Sequence, residues 1–219
     1  MTDGILLIDK PANMTSFGVV ARVRRVLTQQ ASKRVKVGHT GTLDPFATGL
    51  MIIVVGKECK NAGTYTKLDK IYEATIRLGQ TSTTGDPEGE ITDINDTVPS
   101  RDMVQSVIKS FTGEILQRPP IFSALKINGQ RAYKLARDGK EVEIPKRTVT
   151  IHSLEVIDYA YPELKIRTHV SSGTYIRSLA VDIGEALGTG AYCTHLRRTS
   201  IAKWDITAAQ TLADFGVTD

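Results

Sequence analysis

Apolar positions along this chain change period several times, and each change marks an element. "GILLID" at 4–9 is an apolar run too short for a helix and reads as a strand. "TSFGVVARVRRVLTQQ" follows, with Val19, Val20, Val23, Val26 and Leu27 on one helical stripe and Thr15 or Ser16 as the N-cap. "LMIIVVG" at 50–56 is short and β-branched and reads as a buried strand, whereas "IYEATIRLG" at 71–79 alternates like a half-buried one.

Turn formers fill "TSTTGDPEGEI" at 81–91, which predicts an exposed connection. "SRDMVQSVIKSFTG" then reads as a capped helix closed by Gly113, and further strands are expected within 114–127, 142–158 and 163–170. A short helix, "RAYKLARDG", ends on Gly139. "TYIRSLAVDIGEALG" predicts a strongly amphipathic helix with Ile176, Leu179, Ala180, Ile183 and Leu187 on its stripe. Near the end, Thr207 and Gln210 in "TAAQTLADFG" form a capping-box signature. Many strands with helices interspersed, in no regular βαβ alternation, predict an α+β fold built on a mixed, mainly antiparallel sheet flanked by helices.

Length adds that 219 residues suffice for one large domain, expected as a single compact body over 1–219. No window approaches the roughly 18 apolar residues of a membrane span, and the start lacks the pattern of a signal peptide, so a cytoplasmic address is expected. Two isolated cysteines, Cys59 and Cys193, suit a reduced compartment. "CTH" at 193–195 is too sparse for a zinc site, so no metal is expected.

A formal net charge of +4 gives mild attraction for polyanions, and its distribution says more. "RVRRVLTQQASKRVK" at 22–36 carries Arg22, Arg24, Arg25, Lys33, Arg34 and Lys36 with no acid. Such a run reads either as a solvated face or as a surface for a phosphate backbone. "RAYKLARDGK" and the arginines of "HLRR" extend the basic character toward an RNA-like partner.

The next acid after this run is Asp44, in "HTGTLDPFATG". Pro45 pushes its backbone out of the helical region, and Gly38, Gly41 and Gly49 permit sharp turning and close approach to a ligand. The loop reads as a presented carboxylate or as an Asx-type turn. Arg177 borders the buried stripe of its helix, where a covered guanidinium needs a carboxylate, Asp44 being one partner, or else reaches the rim as a snorkelling side chain. Tyr72 shares a strand face with Ala74, Ile76 and Leu78 and reads as a core aromatic or as an active-site edge. Phosphate-loop and dinucleotide fingerprints are lacking, and the Asp44 loop contains no second acid of the kind a glycosidase pair needs.

Six ordered blocks, "GILLIDKPANMTS", "VGHTGTLDPFATGLM", "KIYEATIRLGQTSTTGDPEG", "SALKINGQRAYKLARDG", "SSGTYIRSLAVDIGEALG" and "THLRR", span nearly the whole chain. Together they resemble the TruB family of tRNA pseudouridine synthases. The resemblance implies isomerisation of the T-loop uridine at position 55 without metal or organic cofactor. It makes Asp44 the nucleophile, with Tyr72 and Arg177 as further catalytic residues. It assigns His39, Tyr175 and Leu196 to substrate binding and gives the Asp86 loop a supporting role. The partner implied is the T arm of tRNA, with no membrane, no obligate protein partner and a monomeric state. Many bacterial relatives continue into a PUA-type RNA-binding module, which is expected to be absent here. A guide-RNA-directed pseudouridylase and a tRNA-folding chaperone are the alternative functions.

Overall fold

The computed structural model describes residues 3–95, 97–123, 126–127, 130–131 and 144–217. In chain order the strands are β1 (Gly4–Lys10), β2 (Val37–His39), β3 (Thr48–Val55), β4 (Lys70–Leu78), β5 (Gln80–Ser82), β6 (Ile91–Asp93), β7 (Gly113–Gln117), β8 (Lys126–Ile127), β9 (Gln130–Arg131), β10 (Arg147–Ala160), β11 (Glu163–Val170), β12 (Ala191–Ile201) and β13 (Trp204–Asp205). The described α-helices are α1 (Ser16–Ala31), α2 (Ala62–Thr66), α3 (Arg101–Ser110) and α4 (Ile176–Ala186). The fold is α+β with a mainly antiparallel sheet, as the pattern predicts. It divides into two compact units: Met1–Tyr72 with Arg197–Asp219, and Glu73–Leu196. The helix expected over 131–139 lies outside the described residues beyond Arg131.

In the first unit, β3 pairs antiparallel with β1 along its whole length, from Gly4 opposite Val55 to Lys10 opposite Gly49. β2 pairs antiparallel with the far end of β3, and β12 runs parallel to its start at Thr48 and Gly49. Leu50, Ile52 and Val54 form a core cluster with Ile201, covered by Leu7, Tyr65 and Trp204 among others. The alternate residues Met51, Ile53 and Val55 are equally buried, which is why this strand shows an unbroken apolar run. Each such side chain stabilises the fold by about 1.5–3 kcal/mol. Helix α1 starts where Thr15 accepts the Gly18 N–H at 3.0 Å, and its stripe of Val19, Val20, Val23 and Leu27 is buried.

Gly49 has φ +109°, and a Cβ there would lie 2.3 Å from the Arg198 carbonyl oxygen. Its freedom therefore serves the close approach of two strands rather than of a ligand, which corrects the sequence reading.

The expected helix after Thr207 does not form. Asp205 is the cap instead, accepting from the Thr207 N–H and hydroxyl at 2.9 and 2.8 Å to close a single 3₁₀ turn over Ile206–Ala208. Gln210 is then drawn into strand-like bonding, donating its N–H to the Leu7 carbonyl at 3.0 Å and accepting from the Asp9 N–H at 2.9 Å. Tertiary pairing with the edge of β1 outweighs the local helix signal.

In the second unit the strand order is β12–β4–β11–β10–β7, with β10 antiparallel to both neighbours. β4 alternates between buried and half-buried residues, as the sequence indicates. Ser100 caps α3 by accepting the Met103 N–H at 3.2 Å. Helix α4 buries Ile176, Leu179, Ala180 and Ile183, and also Arg177 and Gly184. The segment 81–91 departs from expectation, because β5 and β6 pair as a hairpin and Asp86 between them is buried. Strand β12 is a further difference, because the pattern predicts no strand over Ala191–Ile201.

Candidate active-site loop and nucleic-acid surface

The loop carrying Asp44 is fastened to the first unit on both sides of that residue. Thr40 donates its N–H to the Ile52 carbonyl at 3.2 Å, continuing the β2 pairing. Arg198, 1% exposed, donates from Nε to the Leu50 carbonyl at 2.7 Å and from Nη2 to the Gly41 carbonyl at 3.2 Å. The buried Ser16 hydroxyl accepts the Leu43 N–H at 2.8 Å and donates to the Leu43 carbonyl at 2.9 Å. Lys10, 0% exposed, donates from Nζ to the carbonyls of Pro11, Met14 and Pro45 at 2.8, 2.6 and 3.1 Å. Finally, Ala47 donates to the Asp44 carbonyl at 3.2 Å, closing a turn with Pro45 at its favoured second position.

Asp44 is half-buried at the start of that turn. The backbone on either side of it is held at Gly41, Leu43, Pro45 and Ala47, so the fold itself positions the stretch of chain that carries the carboxylate. Lys70 in the same unit is pushed down from 10.5 to about 8, mainly by burial and next by the charge of Arg198. His39 ends β2 opposite Ile53, and Tyr72 is buried on β4.

In the second unit Arg177 is 3% exposed. Its Nη1 donates to Asp86 Oδ2 at 3.0 Å and to the Thr84 carbonyl at 2.9 Å, and Nη2 donates to the Phe122 carbonyl at 2.7 Å. The other Asp86 oxygen accepts from the Thr84 hydroxyl at 2.5 Å and the Glu88 N–H at 3.0 Å. Asp86 is thus a buried structural carboxylate, a role its turn-rich surroundings in the sequence concealed. Tyr175, half-buried, precedes α4 and has both backbone groups captured by Gln117, which accepts its N–H at 2.8 Å and donates to its carbonyl at 3.0 Å. Leu196 is buried on β12.

The basic run divides along α1. Arg22 and Arg25 are exposed and, with Gln29, lie on one helical face beside a cavity of about 290 Å³. Neither guanidinium has a hydrogen bond or ion pair among the described residues. Arg24 lies 5.9 Å from the centre of the exposed Phe17 ring, within cation–π range. The arginines of "HLRR" behave differently from the expectation of an RNA-facing cluster. Arg197 pairs with Asp9 at 2.7 Å, and Arg198 is interior.

Ser16, Arg198 and Gln117 were missed as site-building residues because each acts across more than 25 intervening positions, where no local spacing reports the contact. Ser16 carried one signal, its place at the start of α1, but that position reads as a helix cap.

This chain matches the family model described as "TruB family pseudouridylate synthase (N terminal domain)" over residues 24–176. The model for the "tRNA pseudouridylate synthase B C-terminal domain" follows over 177–217. A chain in the crystal structure of a Cbf5-Nop10-Gar1 complex superposes with a TM-score of 0.75 at 31% identity, covering 97% of this chain and 53% of that one. A chain in the structure of an H/ACA RNP bound to a substrate RNA containing 2'-deoxyuridine gives 0.70 at 29%, covering 96% and 51%. This protein therefore spans about half the length of those chains. The fold and the matched models define a pseudouridylate synthase.

Similarity is higher to the tRNA pseudouridine synthase B of Azoarcus sp. (strain BH72), 45% identical over 212 residues, 97% of this chain and 69% of the relative. The protein of the same name from Burkholderia mallei (strain NCTC 10247) is 44% identical over 210 residues, 96% and 68% of the two chains. The chain belongs to the TruB family.

Proposed function

We propose that this protein converts a tRNA uridine, the T-loop uridine at position 55, to pseudouridine, with Asp44 as nucleophile. The observation that supports this most is the fastening of the Asp44 loop at Gly41, Leu43, Pro45 and Ala47, which presents one carboxylate from a rigid frame. The reaction breaks the N1–C1′ bond, turns the uracil and joins C5 to C1′. The C5 proton leaves and N1 gains one, so composition is unchanged and no oxidant, metal or water is consumed. Attack on C1′, addition to C6 and assisted elimination all begin from an ionised Asp44.

A stacked base cannot meet this carboxylate, so the nucleotide must be flipped at a cost of a few kcal/mol, offset by contacts in the pocket. On the match of "YEA" and "GTYIR" to the family motifs, Tyr72 and Arg177 are the further catalytic residues. His39, Tyr175 and Leu196 are the residues proposed to bind the displaced nucleotide. The exposed guanidinium groups of Arg22 and Arg25 on α1 offer a surface for backbone phosphates. A cytoplasmic monomer working on bare tRNA is the form proposed, and among the described residues no helix is long and apolar enough to cross a membrane.

The test is to incubate the purified protein with unmodified tRNA transcript and map pseudouridine along it. Modification confined to the T-loop uridine is expected. Modification only when a guide RNA is added would replace this reading with the guide-directed one, and binding without modification would leave a tRNA-binding protein.

A further inference from the structure

Resting on the reading of Asp44 as nucleophile, we infer that Ser16 is a positioning residue for it, acting through the backbone of Leu43. Three observations converge on this. A hydroxyl has one proton to give and lone pairs to accept with, and Ser16 uses both on a single residue, taking the Leu43 N–H at 2.8 Å and giving its own proton to the Leu43 carbonyl at 2.9 Å. That residue immediately precedes Asp44: the captured carbonyl belongs to the peptide unit that carries the Asp44 Cα, and the captured N–H to the unit before it. The contact is also interior: Ser16 is 3% and Leu43 4% exposed, so water cannot take over the lost bonds cheaply.

As an N-cap alone Ser16 would be redundant, because the neighbouring Thr15 already caps α1 through the Gly18 N–H. The Ser16 side chain is therefore free of helix duty and serves a loop 27 positions away. Arg198 anchors the same loop two residues earlier, at Gly41. Helix α1 thereby becomes the fixed wall against which the nucleophile is registered.

The test compares Ser16→Ala and Ser16→Thr with wild type in steady-state pseudouridine formation, alongside tRNA binding and thermal unfolding. Ser16→Ala removes both bonds. Its expected effect is a fall in kcat of about 100-fold, the scale of a misplacement of about 1 Å, with KM and tRNA affinity within about twofold of wild type. Ser16→Thr keeps the hydroxyl and is expected to restore most of kcat, a rescue that a purely structural role tied to packing volume would not show. A kcat for folded Ser16→Ala within about twofold of wild type overturns the inference. Asp44→Asn is run in parallel: if it keeps the wild-type rate, the reading of Asp44 falls and the positioning role falls with it. If it is inactive while Ser16→Ala is unimpaired, only the positioning role is lost.

Discussion

Arg177 donates to Asp86 at 3.0 Å with both side chains about 95% enclosed, at 3% and 5% exposed. Such a pair contributes little net stability compared with an apolar replacement of both partners, but removing one partner strands a charge in the interior. Asp86→Ala is therefore expected to destabilise the protein by about 3 kcal/mol. For a chain of this size that lowers the melting temperature by about 6–12 °C in a calorimetric or fluorescence scan. Replacing both, as Asp86→Leu with Arg177→Met, is expected to cost less than the single change, which would be measured as a favourable coupling term in a double-mutant cycle.

Asp182 on α4 gives a pH-dependent prediction. Burial raises its carboxyl first and the neighbouring Glu185 next, from 3.8 to about 6, with Lys146 partly offsetting the shift. The folded protein then holds this proton more tightly than the unfolded chain, so stability falls as pH rises from about 4 to about 6 and the loss is complete above that range. Because Asp182 is only half-buried, solvent screening reduces the penalty to about 1–2 kcal/mol. Asp182→Asn should remove it. Urea unfolding is expected to show the variant more stable than wild type near pH 7.5 and equal to it near pH 4, those values being about 1.5 above and about 2 below the raised carboxyl value.

The α1 surface makes a prediction about salt. Arg22 and Arg25 lie on one exposed face with no acid in the chain between Asp9 and Asp44. If both contact phosphates, replacing them by Gln removes two released counterions and makes the slope of log affinity for tRNA against log salt shallower by about 1.5. Binding titrations at several salt concentrations would read this directly, with kcat at saturating tRNA unchanged. An unaltered slope would place the tRNA backbone elsewhere on the protein.

Much of the scaffold was legible because its signals are local. β1, α1, β3 and β4 follow from apolar period and a Thr cap, and the buried run of β3 follows from two covered faces. Asp44, Tyr72 and Arg177 stand out by residue type and turn chemistry, and the catalytic roles proposed for them come from the resemblance to the family motifs. What escaped was long-range. The turn formers around Asp86 carry no sign of its partner Arg177, 91 positions later, so only the loop's supporting role could be expected and not the buried pair. The capping-box pattern at Thr207 lost to Asp205 and to pairing with β1. The arginine-rich "HLRR" suggested an RNA surface, whereas Arg198 spends its charge on the Leu50 and Gly41 carbonyls inside the first unit.

As the proposed nucleophile, Asp44 should be indispensable to the reaction. The most direct measurement uses tRNA transcript tritiated at uridine C5 and follows tritium release by wild type and by Asp44→Asn, which keeps the size and turn geometry but removes the charge. Release by wild type, confined to the T-loop uridine, with none detectable from an equally folded Asp44→Asn that still binds tRNA, is the predicted result. Release from Asp44→Asn at the wild-type rate would show that another group carries the chemistry.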